Sequence, residues 1–182
     1  MRTFLQRLSL ALSWVAKLAL WLAGLGLVAM TVIVSWQVYG RYVLGSTPRY
    51  AEAGAVLLMA WFIFLGAAVG VREGYHLGFD VLLHVVSRRV KQILLLISDL
   101  AVFGFGVGMV VYGWQLVQHA WRVSVPTLGV PGGLPFLPIT IGGGLICVFI
   151  LERVLRRAAG LAPDTHARPE AGQKVTAQAE RT

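Results

Sequence analysis

Glu73, His76 and Asp80 are the first residues in this chain whose types and spacing could do chemistry. Their offsets of three and four place them on one face of a helix. Two carboxylates and an imidazole are donors that a hard or borderline metal can use. One short polar turn rarely closes a coordination shell, however, and Arg72 stands beside Glu73. The favoured reading is therefore an interfacial cluster that pairs locally or docks a neighbouring protein. Asp99 is the second candidate, about six residues and roughly 9 Å into an apolar run. A carboxylate at mid-helix costs ~2.5–3.5 kcal/mol on insertion scales, and less near the interface. Its functional reading is an ion or proton site. The reading adopted is structural: a hydrogen bond to a neighbouring helix, with Ser98 as a local second polar group, or contact with interfacial water. A lone intramembrane acid makes a poor relay.

The remaining chemistry is sparse. Cys147 is the single cysteine and lies in an apolar run, so neither a disulfide framework nor a thiolate metal set is expected, and it reads as a small buried residue. A haem-bearing bundle needs histidines inside facing spans, but His76 and His84 fall in a loop, His119 at a span end and His166 in the tail. No cofactor is expected, and no enzyme activity. Gly104, Gly106 and Gly108 resemble a phosphate loop only superficially, because no strand precedes them. They read as sites of close helix approach, as do Gly66 and Gly70. Arg41 and Glu52 bracket a short loop between two apolar runs. They are either an ion pair that fixes register or two solvated charges worth ~0–1 kcal/mol.

The elements that hold these residues are membrane spans. Hydrophobic residues make up 57% of the chain and charged residues 13%, with a mean hydropathy of +0.73. A soluble domain is about half apolar and a quarter charged. Apolar runs at about 18–39, 53–71, 93–117 and 134–151 each approach the ~20 residues that cross ~30 Å of hydrocarbon. The expected fold is an all-α integral membrane domain of four transmembrane helices over 18–157. An N-terminal segment at 1–17 precedes it, and a polar tail at 158–182 is too poor in apolar residues to fold.

Basic residues set the orientation. Arg2, Arg7, Lys17, Arg72, Arg88, Arg89, Lys91, Arg153, Arg156 and Arg157 fall on one side together with those of the tail, against Arg41, Arg49 and Arg122 on the other. The positive-inside rule places both termini in the cytoplasm. This asymmetry accounts for the net charge of +8 without nucleic-acid binding. Lys17 interrupts the early apolar run and no clear cleavage site follows, so no signal peptide is expected. Phe4, Leu8, Leu12 and Val15 recur at helical spacing, which fits an interfacial helix or an extension of the first span. Asp80–Arg89 reads as a second interfacial segment. The loop carrying Pro126, Pro131, Pro135 and Pro138 should be a chain of turns on the outer side.

Three motifs in order resemble a known family. Arg41-Tyr42 ends the first span, Pro48-x-x-x-Glu52 opens the second, and Arg-Glu-Gly-x-His-x-Gly-x-Asp follows it from Arg72 to Asp80. Together with Thr127, Pro131 and Pro138, they resemble the small, four-helix, DctQ-like membrane subunit of TRAP (tripartite ATP-independent periplasmic) transporters. The likeness covers roughly Leu18 to Arg157, with Ala51-Glu52 where the family often has paired acids. It implies a non-enzymatic permease subunit in a bacterial inner membrane. Such a subunit scaffolds a large membrane subunit and helps dock a periplasmic substrate-binding protein for ion-coupled uptake of an organic acid. On that reading Arg41 and Glu52 lie near the docking side, and Arg72, Glu73, His76 and Asp80 organise the cytoplasmic end. The residues also admit two other readings, a membrane anchor of a redox enzyme and a small self-associating channel in which Asp99 carries flux. Membrane lipid is a partner on any of them.

Overall fold

The computed structural model describes residues 2–46, 48–73 and 88–158. Nearly all of them are helical: α1 (Arg2–Tyr42), α2 (Arg49–Glu73), α3 (Arg88–Ala120) and α4 (Leu137–Ala158). The stretches long and apolar enough to cross a membrane are Ser9–Tyr42, Arg49–Glu73, Ile93–Ala120 and Leu134–Arg157, and the four expected spans fall inside them. At 41 residues α1 is about 62 Å long, twice the hydrocarbon thickness, and it is unbroken across Lys17. The N-terminal segment thus continues the axis of the first span. The expected interfacial segment at 80–89 lies outside the described residues but for Arg88 and Arg89, and so does the tail beyond Ala158.

The helices form a row in the order α1, α2, α4, α3, for α1 packs on α2, α2 on α4 and α4 on α3. Because successive spans alternate in direction, the two central helices, α2 and α4, run parallel. Lipid tails give no hydrophobic drive between helices, so close backbone approach has to supply the packing. On α1 the stripe Ala16, Ala19, Ala23 and Gly26 supplies it, with a carbon added at Gly26 coming 3.4 Å from Phe62 Cβ. This 3-4-3 spacing is the seam of a left-handed helix pair. Leu65, Ala68 and Val69 of α2, Met109 of α3, and Ile146, Phe149 and Ile150 of α4 complete the core. Trp14, Leu18, Trp21, Leu25 and Val28 occupy the other face of α1 and stay exposed, as suits contact with lipid.

Glycine holds α3 against α4, but at fewer of the expected positions than the sequence suggested. A carbon added at Gly106 would meet Cys147 Sγ at 2.9 Å and the Gly143 carbonyl at 3.2 Å. Gly104, Gly108, Gly66 and Gly70 have nothing within 4 Å. Residues two apart on a helix point about 200° from one another, so Gly104 and Gly108 face away when Gly106 faces α4. The close contacts not anticipated are at Gly113 against Thr140, Gly142 against Phe64, and Gly143 against Met109.

The proline-rich connection is a hairpin rather than only a chain of turns. Strands β1 (Ser124–Val125) and β2 (Val130–Pro131) pair antiparallel, Ser124 opposite Pro131 and Val125 opposite Val130. Pro131 is tolerated because a two-stranded ribbon has free edges. Gly129, at φ +66°, makes the tight turn. A 3-10 turn at Leu134–Phe136 then feeds α4, whose first turn holds the fully buried Pro138, where a missing N–H leaves no helix bond unmade.

Candidate functional site

The helix ends opposite the hairpin, rich in arginine, hold the only buried charges among the described residues: Asp99 and Glu152. Each is met by two guanidiniums. Arg153, one helix away on α4, reaches Asp99 Oδ1 at 3.3 Å, and Arg157 contacts Oδ2. Arg72 of α2 lies 3.7 Å from Glu152, and Arg156 lies 3.8 Å from it one turn along α4. The carboxylate side chains are 6% and 8% exposed. Burying an ion costs several kcal/mol, which is offset only by good pairing together with further hydrogen bonds.

Those further bonds are present, and they join all four helices. Arg153 also donates to the carbonyl of Val71 and, at 3.1 Å, to that of Arg72. Both carbonyls belong to the last turn of α2 and have no partner within their own helix. A cation there also faces the negative end of the helix dipole. One side chain thus caps α2 from α4 while it pairs with α3. Arg156 donates to Ser9 Oγ on α1 at 2.8 Å, and Arg72 donates to the Ser9 carbonyl at 3.4 Å. The Arg72 guanidinium also lies 5.4 Å over the Phe149 ring, a cation–π distance.

The sequence candidates divide accordingly. Asp99 pairs with two arginines of α4 across the helix interface. Arg72 joins the cluster, and its acid is Glu152 instead of the adjacent Glu73, which is exposed. His76 and Asp80 lie outside the described residues. At the hairpin end, Arg41 and Glu52 are both exposed, and no ion pair joins them among the described residues. Each faces a favourable helix terminus, Arg41 in the last turn of α1 and Glu52 in the first turn of α2. The Arg41 guanidinium lies 6.0 Å over the Tyr42 ring. His119 bonds the Gln115 carbonyl at 2.7 Å, and since a carbonyl only accepts, Nδ1 carries the proton.

Glu152, Arg153, Arg156, Arg157 and Ser9 are the site residues that sequence reasoning missed. Their signal was available: Glu152 sits inside the last span's helix as Asp99 does in the third, followed by arginines at helical spacing. Chemically, the arrangement can fix the four helix ends against one another. Two guanidiniums around each carboxylate leave the group net positive and repel a further cation, so neither acid is placed to pass one along.

Known proteins resemble this chain in sequence. Residues 30–160 match the family described as tripartite ATP-independent periplasmic transporters, DctQ component. A C4-dicarboxylate TRAP transporter small permease protein of Pseudomonas aeruginosa is 40% identical over 131 residues, 67% of this chain and 62% of that protein. Its counterpart in Vibrio cholerae is 26% identical over 121 residues, 64% of this chain and 52% of its own length. A sialic acid TRAP transporter small permease protein, also of Vibrio cholerae, is 21% identical over 126 residues, covering 69% and 73%. The chain thus spans about half to three fifths of the C4-dicarboxylate relatives it matches.

Proposed function

The chain belongs to the DctQ component family of the tripartite ATP-independent periplasmic transporters, and from that membership we propose that it is the small permease subunit of a TRAP-type secondary transporter. In this reading it sits in a bacterial inner membrane with both termini and the arginine cluster on the cytoplasmic side. It braces a large membrane subunit, and its hairpin end helps to dock a periplasmic substrate-binding protein. The cargo class is an organic acid, in keeping with the dicarboxylates and sialic acid in the relatives' names.

The observation that carries the brace reading is the charge cluster itself. Substrate and ion sites of secondary transporters are built from interrupted helices near the midplane. Here each span is one continuous helix, and the buried charges are gathered at one end, where they tie α1, α2, α3 and α4 together. A unit locked in this way supports a moving partner and does not itself rock.

At the hairpin end, Leu128 reaches over the start of α2, 4.0 Å from where a side chain at Gly54 would begin, and Tyr42, Val43, Leu44 and Trp121 are exposed nearby. This surface, flanked by Arg41 and Glu52, is the proposed docking side. Arg41→Glu and Glu52→Lys are expected to lower uptake of the organic acid severalfold, or to reduce the yield of assembled complex. Uptake in whole cells and complex recovered from the same cells are the two readouts. Wild-type values of both in both variants would remove these residues from the docking surface.

A further inference from the structure

A groove of about 340 Å³ opens beside the charge cluster, between α2 and α3 with α4 as its floor. It is lined by Ala67, Val71, Ala101, Val102, Phe105 and Ile146, all apolar. It exists because α2 and α3 both pack on α4 without packing closely on each other, and because Ala67 and Ala101 are small. The arginines lie next to the groove. Arg153 follows Ile146 by two turns on the same face of α4 and donates to the carbonyl of Val71, itself a lining residue. Asp99 precedes Val102, another lining residue, by three residues on neighbouring positions of the same face of α3.

Two features identify the occupant. The first is charge: among the described residues Asp99 faces both Arg153 and Arg157, so this acid leaves one positive charge in surplus beside the apolar groove, and Arg157 is 41% exposed. The second is the lining: all six residues are apolar and lie within membrane-spanning helices, where lipid chains are the surrounding medium. We infer that this groove is a binding site for one anionic phospholipid of the leaflet on the arginine-rich side. An acyl chain lies along Ala67, Ala101 and Phe105, and the phosphate meets Arg157 and the outer edge of Arg153. Lipid binding here requires membrane insertion and a groove that no partner protein fills, and its readout does not depend on uptake.

The test is native mass spectrometry of the full-length chain in mild detergent, with whatever protein partner it retains, titrated with phosphatidylglycerol or phosphatidylcholine. One retained phosphatidylglycerol is expected, about fivefold preferred over phosphatidylcholine, the ratio that one additional interfacial arginine supplies. Arg157→Gln leaves the Asp99–Arg153 pair intact and should bring the two lipids level. Ala101→Phe fills the groove without touching a charge and should reduce retention of both lipids at least fivefold, with the melting temperature reporting that the fold is kept. If Ala101→Phe does not fold, Arg157→Gln decides alone. Equal retention of the two lipids by the unaltered chain would overturn the inference, as would phosphatidylglycerol binding unchanged in Arg157→Gln. So would efficient cross-linking of an Ala101→Cys chain to a partner protein, since the groove would then be filled by protein.

Discussion

Asp99→Leu is expected to destabilise the detergent-solubilised chain by about 1–3 kcal/mol, because two partly exposed guanidiniums lose the buried acid they share. One of them lies between helices. Arg153→Gln should come close to the same loss, since it strips Asp99 of its inner partner and takes the cap from the carbonyls of Val71 and Arg72. Arg157→Gln should cost no more than about 1 kcal/mol, as for an exposed pair, because Arg153 remains in place. Thermal unfolding followed by circular dichroism or by loss of the monodisperse peak ranks the three. An Arg157→Gln chain as unstable as Asp99→Leu would show that the inner pair is not what holds the helix ends.

The second large effect is steric. A carbon added at Gly143 would stand 2.7 Å from Met109 Cβ, 2.9 Å from the Gly106 carbonyl and 3.2 Å from the Val110 nitrogen. Two of these neighbours are backbone and cannot turn aside. Gly143→Ala should therefore cost about 1–3 kcal/mol, as overpacking in a well-filled core does, and Gly143→Leu should separate α3 from α4 altogether. Gly104→Ala and Gly108→Ala meet nothing within 4 Å and should be neutral, or gain up to about 1 kcal/mol from the better helix propensity of alanine. The contrast between the two helices is readable in a single melting series. Equal damage from Gly108→Ala and a substitution at Gly143 would mean that α3 is rotated from the face described.

These two sites also show how far the sequence could be read. The four spans were legible because crossing hydrocarbon demands a length of apolar chain that few other structures need. Asp99 was legible as an anomaly, being a carboxylate where burial is costly. Its partners were not, because Arg153 and Arg157 look like ordinary basic flanks until the helices are placed side by side. The same ambiguity hid Gly143. Gly104, Gly106 and Gly108 fall within a little over one turn, and only the azimuth of α3 against α4 decides which of them touches a neighbour. That azimuth follows from the order α1, α2, α4, α3, which no local pattern encodes. The stripe Ala16, Ala19, Ala23 and Gly26 is the exception, a packing face whose 3-4-3 spacing of small residues is visible in the chain itself.

The charge cluster and the proposed role meet at one point: a brace must keep its shape while its partner moves. The row of helices has an outer face on α1 and on α3 that remains apolar and exposed, and the cluster fixes those two outer helices to the central pair from one end. A transport subunit seated on either face would meet a surface of constant form.

The measurement that tests the brace most directly is affinity purification of the full-length chain from its native membrane in mild detergent, with every co-purifying protein identified and quantified. One large polytopic membrane protein is expected in about equal amount, lost or sharply reduced when Asp99→Leu is purified in the same way. Recovery of the chain alone as a defined oligomer, or together with a haem or iron–sulfur protein, would contradict the brace.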